Sequence, residues 1–486
     1  MPLIGKPFGL TSGVAAVAGY TIDNSCIFNG TTDNPRLEKT LGSDGNLRTW
    51  TLSFWFKRAG KAGTFNTLLR SGTTGSDTTY ERLQISSDTI SFQDESVEIL
   101  TTTQKIRDYS AWYHFCLVWD TTNSTSSERV RMYLNGLRIA DFSAANYPSL
   151  NTDSIMSDAS FPLYIGKNSV AEPRNLDGYL AEWIFIDGSA LTASSFGEFN
   201  SDGVWIPTDP STLTFGTAGY WLDFEDSSDL GNDVSGNNND FTSTGLTASD
   251  QTLDTPTDSG TTIGNLATWN PLDIQGTTDW GVRSLSEGNT AYTSSSGSSY
   301  ALGNIGMQSG KFYWRVQATT FQGSGYPAIG VVNENGPGAF DDGWIGGDTN
   351  AWCILTEGAS YTGKTRTNGT TSASSLFTVS EGDYIDIALD VDNLKMWFGL
   401  NGTFDGDPAA GTGEAFTVNG TSFFASAATA STSVATIDCE GGTPPDGFSR
   451  YGTMGIAAPT ITKPTDNFLP IVYEGNGAGQ RVGNFI

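Results

Sequence analysis

Apolar and polar residues alternate with a period of two along much of this chain, and the alternation breaks repeatedly at Gly, Asn and Asp. The clearest succession is Trp112-Tyr-His-Phe-Cys-Leu-Val-Trp-Asp120, Arg131-Met-Tyr-Leu-Asn-Gly-Leu-Arg138, Leu163-Tyr-Ile-Gly166 and Leu176-Asp-Gly-Tyr-Leu-Ala-Glu-Trp-Ile-Phe-Ile186. Period two places one face of each segment in a core, which predicts antiparallel strands of a sandwich. Asn135-Gly136 supplies the positive φ of a tight hairpin. Ser25-Cys-Ile-Phe28 predicts an opening strand, and Trp50-Thr-Leu-Ser-Phe-Trp-Phe56 is apolar on both faces in places, as expected of a central strand between layers. Leu83-Gln-Ile-Ser86 and Thr89-Ile-Ser-Phe92 predict a hairpin turning near Ser87-Asp88.

The same pattern returns further along. Ser309-Gly-Lys-Phe-Tyr-Trp-Arg-Val316 and Ala328-Ile-Gly-Val-Val-Asn333 read as strands. Between residues 381 and 402, Tyr384 to Leu389 predicts a strand, Asp392-Asn393 a turn, Lys395 to Leu400 the returning strand and Asn401-Gly402 the next turn. Residues 251–265, rich in Thr, Asp and Gly, read as a linker or surface loop. The expected fold class is all-β: two antiparallel β-sandwich (jelly-roll) domains in tandem with extended terminal arms. The boundaries are an arm over 1–25, a first sandwich over 26–250, the linker, a second sandwich over 266–450 and a Pro- and Gly-punctuated tail over 451–486.

Residues 112–186, with the strand at 50–56, resemble the laminin G-like branch of the concanavalin A-like jelly rolls. That likeness implies recognition of glycans or proteins at outer surfaces. Leu191-Thr-Ala-Ser-Ser-Phe196 resembles the short helical turn that ends many laminin G-like domains, where a Thr hydroxyl can cap the turn's free N–H groups. The acid-rich segment 220–241 matches a strand and loop that usually precede the rest of such a domain, as though permuted; the chain ends of a sandwich lie close enough for this. Residues 309–402 resemble a SPRY domain, a binding module rather than a catalyst, whose ligand loops share no chemistry, so no contact residue carries over by position. The two units and their tails together resemble virion-surface proteins of tailed marine bacteriophages. This implies a tail-fibre or adhesin-type structural protein, a homotrimer, assembled in the host cytoplasm and displayed on the virion surface. Its partners would be a host cell-surface glycan or protein and, through the terminal arms, other virion proteins.

Length and composition are consistent with this reading. At 486 residues the chain is too long for one core, and its 58 Gly and 12% aromatic content suit short strands between turns. A formal charge of -28 and a pI near 4.2 repel phosphate backbones and argue against nucleic acid. No stretch is long enough to span a bilayer, and the first residues lack the apolar core of a signal peptide, so no membrane insertion is expected. Cys26, Cys116, Cys353 and Cys439 stand far apart without a CxxC, which suggests buried free thiols.

Glycoside hydrolases need paired carboxylates, and the nearest approach is Glu381-x-Asp383-x-x-Asp386, which reads better as structural acid at a strand entry. His114, the single histidine, sits in a strand beside Trp112 and Trp119, where a hydrolytic triad would have to be built around a packed side chain. No catalytic residue is assigned and no cofactor is required. Calcium is the one metal considered: Asp223, Glu225, Asp226, Asp229 and Asp233 concentrate oxygen donors in one segment without EF-hand order, and Asx-turns are the competing explanation. For ligand binding, Tyr326, Phe340, Trp344 and Tyr361 are candidates, as loop aromatics that can stack on a sugar. Three alternative functions remain open on these features: a capsid decoration or head-fibre protein, a polysaccharide depolymerase and a secreted lectin.

Overall fold

The computed structural model describes residues 19–456, apart from 31–33, 61–65, 74–78, 96, 169–174, 273–282, 295–297, 321–327, 337–344, 357–361 and 431–432. Two sandwiches follow one another, each built from two antiparallel sheets, and the expected all-β class holds.

Sheet I of the first sandwich runs Leu137–Arg138, Val130–Leu134, Trp112–Asp120, Thr49–Arg58, Gly178–Asp187, Ser25–Phe28 and Gln251–Thr252. Sheet II runs Phe142–Ala145, Val97–Thr102, Thr89–Asp94, Tyr80–Ser86, Asn66–Gly72, Leu163–Ile165, Arg36–Lys39 and Thr242–Thr244. Their inner faces enclose an aromatic core in which the rings of Trp50 and Trp119 stack at 6.0 Å and those of Phe54 and Trp183 at 4.4 Å. Strand Thr49–Arg58 is buried almost throughout, because the segment 190–215 and Tyr20 to Ile22 pack a second apolar layer on the outer face of sheet I. Both predicted hairpins close on left-handed pairs, Ser87 and Asp88 (φ 49 and 69) and Asn135 and Gly136 (φ 47 and 78). The predicted helical turn is a single turn over Ala193–Ser195. The Thr192 hydroxyl does not cap it, but meets Ser194 Oγ at 2.8 Å.

Strand Gly178–Asp187 is flanked on one edge by two short strands placed end to end. Ser25–Phe28 pairs with Gly178 to Leu180, and Tyr220–Leu222 pairs with Trp183 to Phe185. Glu182 lies in the gap with φ 48, where the pairing to Thr49–Arg58 slips by a bulge. The segment that looked permuted thus completes sheet I, and Thr242–Thr244 just beyond it extends sheet II against Arg36–Lys39.

Sheet III of the second sandwich is ordered Arg283–Ser286, Ala291–Ser294, Val434–Asp438, Lys311–Thr320, Tyr384–Asp390, Lys395–Leu400 and Thr403–Phe404, and sheet IV holds Ser298–Leu302, Phe423–Ala430, Ala328–Asn333, Ala351–Leu355, Lys364–Thr367 and Thr370–Ser375. The hairpin from Tyr384 to Leu400 forms as expected, except that Leu394 rather than Asp392 or Asn393 takes the left-handed position (φ 57).

Residues 251–265 are not a surface loop. Thr252, Asp254, Thr255, Thr257 and Asn265 are buried, because the spacer runs between the sandwiches and its polar groups are bonded from both sides. Thr257 Oγ1 accepts from Ile22 N (2.9 Å) and donates to Ile22 O (3.1 Å). Nearby, Tyr179 Oη donates to Gly288 O (2.8 Å) and Gly60 N to Asn289 Oδ1 (3.0 Å). Residues 1–18 of the N-terminal arm and 457–486 of the C-terminal tail lie outside the described residues.

Candidate functional site

The alternation that sends Leu83 and Ile85 inward sends Arg82 and Gln84 to the outer face of sheet II, and the register lines up their neighbours. One cross-strand row reads Thr242, Glu38, Tyr164, Arg70, Arg82, Gln93, Glu98, each directly opposite the next. A second reads Thr67, Gln84, Ser91, Thr101. Each position is polar or tyrosine, unlike the outer face of sheet I.

Hydrogen bonds tie the row together. Arg82 Nη1 donates to Asn168 Oδ1 (2.8 Å) and Nη2 to Gln93 Oε1 (2.7 Å), while Gln93 Nε2 reaches Glu98 Oε1 at 3.4 Å. Thr101 Oγ1 donates to Glu98 Oε2 (2.8 Å) and Gln84 Nε2 to Ser91 Oγ (3.2 Å). The guanidinium of Arg82 lies 5.0 Å from the centre of the Tyr80 ring, with Arg70 5.6 Å from the same ring, so planar cations fix the aromatic orientation. The middle of the face is shut from solvent, with Gln84 at 3%, whereas Glu38 and Glu98 reach the rim. Among the described residues, three buried atoms in it, Thr67 Oγ1, Gln84 Oε1 and Asn168 Nδ2, have no hydrogen-bond partner. The array is open to a ligand at its rim, where the carboxylate oxygens of Glu38 and Glu98 suit the hydroxyls of a polyhydroxy compound.

A small, partly open cavity beside Tyr20 gathers the residues most suggestive of chemistry: Ser53, His114, Glu182 and Tyr20, walled by Trp55 and Ile184. It has room for about one water. Ser53 Oγ and His114 Nε2 are 2.8 Å apart, but among the described residues His114 Nδ1 has no partner and no carboxylate orients the ring. Burial lowers the His114 pKa to about 3, and the ring is wedged between Trp55 and Trp205 at 5.1 and 5.6 Å. Glu182 instead accepts from Tyr20 Oη (2.6 Å) and Trp221 Nε1 (2.8 Å), and burial pushes its carboxyl up to about 8. These groups fasten the arm and the strand Tyr220–Leu222 over the bulge; they do not assemble a triad.

The acid triplet of the second sandwich is likewise taken up by structure. Asp386 is fully buried and accepts from Tyr313 Oη and Gly402 N, both at 2.6 Å. Asp383 accepts from Ser380 N (2.7 Å) and Asn401 Nδ2 (2.8 Å), and Glu381 is exposed.

Asp223, Glu225, Asp226, Asp229 and Asp233 lie along one loop, where most of their carboxylates accept local N–H groups. Asp223 accepts from Glu225 N (3.1 Å), Asp226 from Ser228 N (2.9 Å) and Asp229 from Gly231 N (3.2 Å). Asp233, the buried member, takes Trp221 N and Ser235 N (both 2.9 Å) and Asn239 N (2.7 Å). Among the described residues, no three His, Cys, Asp or Glu side chains are gathered as a metal site. Tyr326, Phe340, Trp344 and Tyr361 lie outside the described residues. The polar face of sheet II escaped sequence reasoning. Its signal was the alternation in Tyr80-Glu-Arg-Leu-Gln-Ile-Ser86, but only the register shows that Arg82 meets Gln93 and Arg70.

Residues 29–195 match the family model of the concanavalin A-like lectin/glucanases superfamily, so the first sandwich carries a laminin G-like domain of that class. Among solved structures, the chain is similar to the SPRY domain of human HERC1, with 21% identity, covering 31% of this chain and 87% of that one, at a TM-score of 0.25. It is similar to a heptameric SAP-like pentraxin from Limulus polyphemus, with 19% identity, covering 35% and 78%, at a TM-score of 0.28. A third, a protein of Bacteroides ovatus described as carbohydrate-binding, shares 18% identity over 47% of this chain and 60% of its own, at a TM-score of 0.33. No curated protein matches the chain.

Proposed function

We propose that this chain is a non-enzymatic carbohydrate-binding protein, carried on a virion surface as a tail-fibre or adhesin-type component and turned towards host glycans. The supporting observation is the cross-strand row on sheet II, from Glu38 through Tyr164, Arg70 and Arg82 to Gln93, set on a concanavalin A-like domain. Its ends, the carboxylates of Glu38 and Glu98, accept from glycan hydroxyls at the rim, and the bonded row beneath them, Arg82 to Gln93 to Glu98, holds the rim in place. The bonding of Asp383, Asp386 and Glu182 to neighbouring groups supports the non-catalytic part of the reading. Trimerisation and anchoring through the terminal arms belong to the same proposal.

Binding of the full chain to immobilised oligosaccharides tests the site. Arg82→Ala removes the link between Asn168 and Gln93 and is expected to weaken binding at least tenfold, about 1.4 kcal/mol. Undiminished binding by a folded Arg82→Ala protein would place the glycan elsewhere. A reducing-sugar assay on the bound polysaccharide should stay flat. Gold-labelled antibody on phage particles should mark the tail; label over the capsid would make the protein a head decoration.

A further inference from the structure

Where the two sandwiches meet, Lys57 of the first is buried with its side chain 1% exposed. Its Nζ donates to Asp254 Oδ2 (2.7 Å), Asn265 Oδ1 (2.9 Å) and the Leu266 carbonyl (2.9 Å). The carboxamide of Asn265 is held at both ends, since its Nδ2 donates to Ser110 O at 2.6 Å. Asp254 is held too: Oδ1 accepts from Trp112 Nε1 (2.9 Å) and Leu266 N (3.3 Å). The Tyr179 ring, 5.3 Å from Nζ, lines the site. One buried amine thus stands in hydrogen-bond contact with both a carboxamide and a carboxyl group, beside the rings of Trp112 and Tyr179, which brings together the three groups that amide exchange uses.

We propose that Lys57 and Asn265 form an isopeptide bond without another enzyme, with Asp254 moving the protons, and that this bond staples the first sandwich to the second. Asp254 first takes a proton from Nζ along their hydrogen bond, leaving a neutral amine and a neutral acid. Burial favours that pair, and the same burial raises the Asp254 carboxyl pKa against the opposing pull of Lys57. The Nζ electron pair adds to Cγ of Asn265 while Asp254 returns its proton to Oδ1. Asp254 then carries a proton from Nζ to Nδ2. The Cγ–Nδ2 bond breaks, the carbonyl re-forms as Oδ1 gives its proton back to Asp254, and ammonia departs from the side held by Ser110. The net change is amine plus carboxamide to secondary amide plus ammonia, with no oxidant, reductant or cofactor. The bond would close a ring spanning 208 positions, from a central strand of sheet I to the start of the second sandwich.

Denaturing mass spectrometry of the purified full-length chain tests this directly. The expected mass is below that of the sequence by one ammonia, about 17 Da, and a tryptic digest should contain the Lys57 peptide joined to the Asn265 peptide. Full sequence mass in the wild-type protein would overturn the proposal and leave a buried ion pair. The same loss without a joined peptide would also overturn it, since a succinimide at an Asn releases ammonia too. Asp254→Asn, nearly isosteric, should keep the full sequence mass and yield no joined peptide; a joined peptide from that variant would remove Asp254 from the mechanism. Lys57→Arg supplies a second unlinked control.

Discussion

The two sandwiches have equivalent inner faces and different outer ones. In the first, the outward positions of sheet II are Tyr164, Arg70, Arg82, Gln84 and Gln93, with Arg82 hydrogen-bonded to Gln93 and Asn168, and Gln84 to Ser91. In the second, the outer face of sheet IV is apolar and small, with Ala328, Val332, Ala351, Cys353 and Ala428, and that of sheet III clusters Tyr313, Ala388, Trp397 and Phe448. Inner faces must be apolar for the sheets to pack, whereas outer faces are free to differ, so specific recognition is written on them. By this comparison, the buried acid Asp386 of the second sandwich is spent on bonds within it, whereas the polar face of the first is the surface proposed for a glycan.

The strongest test removes a buried acid from the second sandwich. Asp386→Ala strands the Tyr313 hydroxyl and the Gly402 amide, and should cost about 3 kcal/mol in urea unfolding without altering glycan binding. Altered binding in a folded variant would break the contrast.

A smaller effect separates the cavity beside Tyr20 from both faces. The Glu182 carboxyl is raised from 4.5 to about 8, so its contribution to stability is complete below pH 4.5 and is lost as pH rises through about 8. Glu182→Gln imitates the protonated form. The difference in Tm between wild type and variant should therefore be small at about pH 5 and move in favour of the variant by a few degrees at about pH 9. A constant difference would show Glu182 to be ionised in the folded chain.

Gln84→Leu sharpens the comparison from the other side. It removes a buried oxygen without a partner among the described residues together with one 3.2 Å bond to Ser91, so stability should change by less than about 1 kcal/mol, and glycan affinity, set at the exposed rim, should hold; a loss of affinity would place the glycan over the middle of the face. Smallest is the acid loop: chelation by EDTA should leave Tm unmoved, because Asp223, Asp226, Asp229 and Asp233 already cap turns. A rise in Tm on adding calcium would instead establish the loop as a metal site.

What could be read in advance followed the range of the forces. Strands, hairpins and fold class were legible because alternation and the Asn135-Gly136 and Asn401-Gly402 turns are local. The cysteines, all buried and free, were legible from their spacing. Of the two readings of 251–265, linker or surface loop, the surface one fails, because the Thr, Asp and Gly composition is that of a loop while the burial comes from contacts such as Thr257 with Ile22, 235 positions away. The polar face was missed for the same reason: Arg82, Gln93 and Tyr164 are ordinary outward residues until register sets them in a row.

Long range also sets a clock on biosynthesis. Strand Ser25–Phe28 emerges early, yet its Ser25 hydroxyl bonds the carbonyl of Asp254, 229 positions later. At roughly 5–20 residues per second, the first strand waits about 11 to 46 seconds for the spacer that locks it. Through that interval sheet I has an unfinished edge, so slowed elongation near residue 254 would lengthen exposure to aggregation, and a chaperone that shields strand edges would matter most there.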